Sequence, residues 1–232
     1  MQSSPPSGSP RTGGASFCLR RATSVSGSDS RRVVVFLDYQ NVYHRAREAF
    51  CARDAVARQG QVDPLSVGLL LAGRVPGGRL TGVRSYRGRP SRHRDPRSYA
   101  AFRRQTAKQN GRGAGLVTLI SRDLRYPPDW PARPAQEKGI DVALAIDIVM
   151  AFVRDECDVA VLFSSDTDLA PALEAVLTLR PDGPPACEVA AWAPAAGRPR
   201  SLSVRGVDLR RHLLSRADFL AVADHTDYTR AT

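Results

Sequence analysis

Two short apolar runs that end in acids constrain this chain more than anything else in it. Residues 159–163 read V-A-V-L-F and residues 33–37 read V-V-V-F-L. Both are short, unbroken and rich in β-branched or large side chains. Such a run, lacking the alternation of a half-exposed strand, reads as a strand buried on both faces, the kind found in parallel sheets. Asp38 follows the first run at once; Ser164, Ser165, Asp166, Thr167 and Asp168 follow the second, and a helix-like pattern comes after each. A strand that turns into a helix through an acid is the βα half of a doubly wound unit. In open α/β sheets the crevice at the carboxyl ends of the strands is where ligands bind. Two carboxylates placed there about 4 Å apart repel by roughly 4 kcal/mol at an effective dielectric near 20. They must be solvated, used as helix caps, or neutralised by a cation. Ser-Ser-Asp-Thr-Asp before a helix is a good N-cap sequence, which accounts for one acid and leaves the other open.

The rest of the chain supplies further βα units. Residues 1–30 are mostly Ser, Gly, Pro and Arg and read as a disordered tail, with no apolar stretch suited to a secretory signal. The expected domain runs from residue 31 to 222, and 223–232 are left as a short C-terminal tail. Tyr39-Gln40-Asn41 leads into a helix carrying Val42, Ala46, Ala49 and Phe50. Asp63-Pro64 opens another, with Leu65, Leu69 and Ala72 on one face. Strands are expected from Leu80 toward Arg87, at Leu116–Ile120, at Cys187–Trp192 and, sixth and shortest, at Val204–Leu209. Ala217–Val222 is expected to pack the end back onto the sheet, and residues 181–185 to form a loop. Between the third and fourth strands, Glu137-Lys138-Gly139-Ile140-Asp141 opens a helix to about Arg154, with Val142, Ile146, Val149 and Val153 as its apolar face. Asp141 sits at that helix's amino end, where the dipole favours a carboxylate; Asp147 points elsewhere. Trp130, in the Pro-rich connection before the helix, stacks a base or plugs the loop onto the core, the second being preferred. Five or six strands alternating with helices predict an α/β fold, a three-layer sandwich with a mostly parallel five- to six-stranded sheet.

Charge is unevenly placed. The net charge is +11, and between Arg84 and Arg112 ten basic residues face a single acid, Asp95. Those are Arg84, Arg87, Arg89, Arg92, Arg94, Arg97, Arg103, Arg104, Lys108 and Arg112, with Tyr86, Tyr99 and Phe102 among them. Basic groups mixed with aromatics suit a phosphate backbone with stackable bases; the alternative is a solvated, Arg-rich surface. No apolar run is long enough to span a membrane. Cys18, Cys51, Cys157 and Cys187 are scattered, with no C-x-x-C pair, which argues against structural zinc and a disulfide framework and suits a reducing, cytoplasmic setting. No G-x-G-x-x-G follows the first strand, so a nucleotide-binding Rossmann enzyme is a weak reading.

Acids thus stand after the first strand (Asp38), at the start of a central helix (Asp141) and after the fourth strand (Asp166, Asp168). They share one crevice if the first and fourth strands are neighbours. Oxygen donors of that kind suit Mg²⁺ or Mn²⁺. Asp38-Tyr39-Gln40-Asn41, Lys138-Gly139-Ile140-Asp141-Val142-Ala143-Leu144 and Ser164-Ser165-Asp166-Thr167-Asp168-Leu169 resemble, in family order, the three signature blocks of NYN domains, of the PIN-like (LabA-like) nuclease superfamily. The resemblance covers about residues 32–222. It implies a PIN-like fold and metal-dependent ribonuclease chemistry, with Asp38, Asp141, Asp166 and Asp168 holding Mg²⁺ or Mn²⁺ and positioning water. Asn41 would hold the first acid or the phosphate, Ser165 and Thr167 would bond phosphate or order the loop, and Lys138 would offset charge near the scissile phosphate. The chain departs from many relatives in having Ser165 in place of Gly, which stiffens that turn, and only Asp at the matching acidic places.

Two functional expectations follow. One is a ribonuclease acting on single-stranded or structured RNA, with Arg84, Tyr86, Arg87, Arg89, Arg92, Arg94, Arg97, Arg103 and Arg104 contacting the strand. The other is a non-catalytic RNA-binding or regulatory module on the same fold. No membrane partner is expected.

Overall fold

The computed structural model describes residues 30–113, 115–181 and 186–230. The expected tail at 1–30, apart from Ser30, and most of the expected loop at 181–185 lie outside the described residues. Six strands pair within them, β1 (Arg31–Asp38), β2 (Gly78–Arg89), β3 (Val117–Asp123), β4 (Val159–Phe163), β5 (Cys187–Trp192) and β6 (Arg210–Leu214). Every pairing is parallel and the order is β3-β2-β1-β4-β5-β6.

The doubly buried runs explain themselves once the layers are in place. Val33, Val35 and Leu37 enter one core with Val159, Val161 and Phe163, beneath α1 (Tyr39–Phe50), α2 (Pro64–Ala72) and α6 (Arg216–Val222). Val34 and Phe36 enter the other with Ala160 and Leu162, beneath α4 (Ile140–Val153) and α5 (Ala170–Leu179). Helices therefore cover both faces, and alternate residues of a central strand serve two different cores. Chain order runs outward from β1 through β2 to β3 on one side, and from β4 through β5 to β6 on the other. The reversal falls between β1 and β4, which pair directly from Val33 with Val159 to Leu37 with Phe163. That is the topological switch point, where the connections diverge and leave a crevice.

Three expectations are corrected. The sixth strand is Arg210–Leu214, not Val204–Leu209; Val204 and Leu209 are buried from the β5–β6 connection instead. An edge strand needs only one inward row, and His212 and Leu214 supply it while Arg210, Arg211 and Leu213 stay exposed. The inward face of α4 is Ile140, Leu144, Ile148, Ala151 and Phe152, whereas Val142, Ile146 and Val153 are each more than half exposed. In α2 the buried positions are Pro64, Val67, Gly68, Leu71 and Ala72, and Leu69 faces out. The Arg-rich window resolves into β2, a loop and an 18-residue helix, α3 (Pro96–Gly113). Residues 223–230 lie down on α3: Lys108 Nζ donates to Asp224 at 3.0 Å, Arg104 Nε to the Tyr228 carbonyl at 2.8 Å, and the Tyr228 ring is buried.

Candidate active site

Asp38 closes β1 at the switch point and is only 5% exposed. It caps α1, accepting from the Asn41 N–H at 3.1 Å through one carboxylate oxygen and from Ser164 Oγ at 2.9 Å through the other. Ser164, the first residue after β4, is itself buried and in turn accepts from the Asp166 N–H at 3.1 Å. The Asn41 side-chain carbonyl accepts from both the N–H (3.1 Å) and the hydroxyl (3.0 Å) of Ser165. Arg45 Nε, one turn along α1, donates to that hydroxyl at 3.1 Å. The β1–α1 turn and the loop after β4 are thereby one bonded unit, although more than 120 residues separate them in sequence. Asp166 accepts from the Asp168 N–H at 3.0 Å and caps the short turn Thr167–Leu169. Capping and clustering are thus both true of these acids, since a cap uses only part of a carboxylate's acceptor capacity.

Asp141 enters from the other face of the sheet, in the first turn of α4. Gly139, with φ of 75°, makes the left-handed turn that starts this helix, a conformation costly for residues with a Cβ. The acids feel one another. Burial pushes the Asp38 carboxyl up to about 6 against its two hydrogen bonds, and the charges of Asp141 and Glu137 push it the same way. Asp141 is raised by partial burial and by Asp166 and Asp168. Glu137 is raised by burial and by Asp141, with the Gly88 N–H and Arg87 opposing. Among the described residues, none of the five forms an ion pair with a Lys, Arg or His.

The sequence profile of the NYN domain matches residues 32–180. The chain belongs to the NYN domain family. That family has a PIN-like nuclease fold, and its members are generally ribonucleases. Among curated proteins none matches the chain. A solved structure of a Vibrio parahaemolyticus protein of unknown function superimposes with a TM-score of 0.44 at 17% identity, over 72% of this chain and 84% of that one.

Sequence reasoning passed over two residues of this NYN domain's hollow. Glu137 is the first, its carboxylate held by the Gly88 N–H. A Cβ on Gly88 would collide with Leu124 and come within 2.8 Å of Glu137 Oε1, so the bare backbone of β2 is what admits the acid. Its place beside the Lys138–Leu144 block was the available signal. Ser164 is the second; a Ser between a buried strand and paired acids is the residue type that can bond two carboxyl-bearing turns at once. Lys138 is exposed beside Glu137, and Arg122, opposite Gly88 on β3, passes within 3.7 Å of the Cβ position of Gly139. Thr167 is exposed in the capped turn, and no side-chain bond holds its hydroxyl among the described residues.

The arginine window divides. Tyr86 is fully buried and donates to Asp147, so its ring has no free face for a base. Arg84 pairs with Asp147 at 2.9 Å and with Glu156, and lies over Phe36. Arg87 is sandwiched between Tyr39 (4.9 Å) and Phe102 (4.8 Å) and bonded to Gln105; burial lowers its pKa. Arg104 is spent on the Tyr228 carbonyl. These four answer to the protein interior, because a strand or helix residue that points inward cannot also reach RNA. Arg92, Arg94, Arg97 and Arg103 are exposed, and Arg89 is exposed but paired with Asp123 at 2.7 Å. Arg89 ends β2 and Arg92–Arg97 follow it, which puts them on the same carboxyl edge of the sheet as Asp38. Trp130 is half-buried with its ring edge-on to Tyr126 at 4.9 Å.

Proposed function

We propose that this NYN domain is a metal-dependent endoribonuclease using Mg²⁺ or Mn²⁺. What carries the reading is that Asp38, Glu137, Asp141, Asp166 and Asp168 lie near enough at the switch point to act on one another's charge, and that among the described residues no basic side chain pairs with them. The donor set fits a hard divalent ion: it is all oxygen and all acidic, and Asp38, Glu137 and Asp141 are raised in pKa first by burial and then by neighbouring acids. Each Asp38 oxygen spends one lone pair on its hydrogen bond and keeps another. Among the described residues no group of three or more His, Cys, Asp or Glu is already drawn together as a finished cage. Asp38, Asp141, Asp166 and Asp168 would hold the ion, with Glu137 beside them. When bound, it supplies a nucleophilic water near neutral pH and stabilises charge on the departing oxygen.

The chain's own residues do the rest. Ser164 and Asn41 fix Asp38 in its rotamer and bind the two loops into one rigid wall. Lys138 and Arg122, at the entrance to α4, bind the non-bridging oxygens of the scissile phosphate. Water adds to phosphorus, one P–O ester bond breaks, a carboxylate takes the water's proton and the leaving oxygen is protonated from solvent. Arg92, Arg94 and Arg97 hold the strand on the same edge.

Purified protein incubated with mixed RNA and Mn²⁺ should cleave it. EDTA should stop the reaction and Asp166→Asn should slow it by about a hundredfold or more. Cleavage that survives either change removes the proposal. The absence of a finished cage favours one competitor, an RNA-binding module without turnover. It is the outcome if salt-sensitive binding persists and no divalent ion yields product.

A further inference from the structure

One cavity of the molecule adjoins the acidic hollow without being part of it. It is a cleft of about 210 Å³ between α1, the end of β5 and the connection that follows β5. Its existence has a sequence cause. Ala49, Ala190 and Ala196 stand where larger side chains would fill the space, over a floor of Trp192, whose indole N–H is fixed to the Val42 carbonyl at 2.9 Å. Its lining includes Asn41 and Ser164, which bond Asp38, and Ser165, which bonds the Asn41 side chain. Arg198 and Arg200 line it from the β5–β6 connection; both are exposed, and neither has a hydrogen-bond or ion-pair partner among the described residues. The single acid lining it, Glu48, is already engaged by Arg45 at 2.7 Å.

We propose that this cleft seats one unpaired nucleotide of the RNA strand beside the cut, its base over the alanine-lined hollow and its phosphate on Arg198 and Arg200. The inference rests on the ribonuclease reading for its ligand and extends it, by assigning a single-stranded substrate and a second grip on it. Sheet order supports the polymer over a small anion. β2 and β5 lie three strand spacings of about 4.8 Å apart, roughly 14 Å, with the acids after β1 and β4 between them; the exposed Arg92, Arg94 and Arg97 follow the first strand, and Arg198 and Arg200 follow the second. A strand of phosphates bridges two cationic banks at that separation, and a lone phosphate does not. A walled hollow admits a base only when it is unstacked and unpaired, as in recognition of single-stranded RNA generally.

The test measures binding of a short single-stranded RNA and of its duplex, in EDTA, across a salt series. The full chain is compared with Arg198→Ala/Arg200→Ala and with Ala196→Trp. The double variant should bind the single strand about tenfold more weakly, and the slope of log K against log salt should flatten by about 1.4, two phosphates' worth. Ala196→Trp keeps both charges and fills the hollow. It should weaken the single strand several-fold, leave the slope unchanged and leave the duplex as it was. Wild-type affinity for the single strand in both variants overturns the cleft, and so does an Ala196→Trp effect equal on single strand and duplex. Because nothing is cleaved in EDTA, the two readings fail separately. A protein that binds as expected and never cuts with any divalent ion sinks the nuclease. One that cuts normally while both variants bind like wild type sinks the cleft alone.

Discussion

Asp38 carries two conflicting demands. Its backbone position and its two hydrogen bonds make it the cap that joins β1 to α1, yet its burial among other acids makes its charge unfavourable. With a folded-state pKa of about 6 against an unfolded value near 3.9, the native state holds a proton that the unfolded chain has released. Unfolding is therefore favoured as pH rises through that window. The destabilisation starts near pH 4, is complete a little above pH 6, and is at most about 3 kcal/mol for two units. In the presence of a chelator, Asp38→Asn should be more stable than wild type by about 1–2 kcal/mol at pH 7.5 and equal to it near pH 4. The check is urea denaturation at both pH values, using the difference between the two proteins so that the ordinary, lowered carboxyls such as Asp158 cancel. A variant less stable at pH 7.5 than at pH 4, relative to wild type, would show that the carboxylate is welcome there and needs no cation.

At the scale of elements, the close approach of β2 to the segment before α4 is what brings Glu137 in, and it depends on Gly88 having no side chain. Gly88→Ala should cost about 1–3 kcal/mol through the collision with Leu124. It should also reduce the rise in melting temperature on adding Mn²⁺, since Glu137 must withdraw. A variant with the full Mn²⁺ response would place Glu137 outside the ion's reach. This approach also marks where sequence reasoning stops. β1 and β4 were readable because each is buried on both sides and ends in an acid, two independent signals at one place. α4 was readable as a helix but not in orientation. Val142, Ile146, Val149 and Val153 make one apolar stripe and Ile140, Leu144, Ile148 and Phe152 another, and periodicity has no means of choosing between them. The choice is made by Val34, Phe36 and Tyr86, which line the sheet face that α4 covers. β6 hid for the opposite reason: an edge strand can be mostly polar, and Arg210-Arg211 masks the inward pair His212 and Leu214. Asp38, Asp141, Asp166 and Asp168 could be named from pattern, whereas their fifth neighbour depended on a contact between β2 and a segment some fifty residues away.

For the molecule as a whole, the +11 charge is not one surface but two populations of arginine. Arg84, Arg87 and Arg104 are held by internal acceptors or rings, and they stabilise packing of β2, α3 and α4. Arg92, Arg94 and Arg97 are exposed on the carboxyl edge, on the β2 side of the acids, as Arg198 and Arg200 are on the β5 side. Only the exposed set can displace counterions from RNA, so the two populations should separate in a salt titration. Replacing Arg92, Arg94 and Arg97 together by Ala should lower the slope of log K against log salt by about 2, for three phosphates at about 0.7 each, with little change in stability. Arg84→Ala should do the reverse. It leaves Asp147 without its cation and Glu156 with only the more distant Arg154 at 3.8 Å, at a cost of about 1–2 kcal/mol for so partly buried a cluster, and leaves the slope where it was. If the triple variant keeps the wild-type slope, the strand does not run along the β2 side. The cationic bank at Arg198 and Arg200 would then have to hold the RNA unaided.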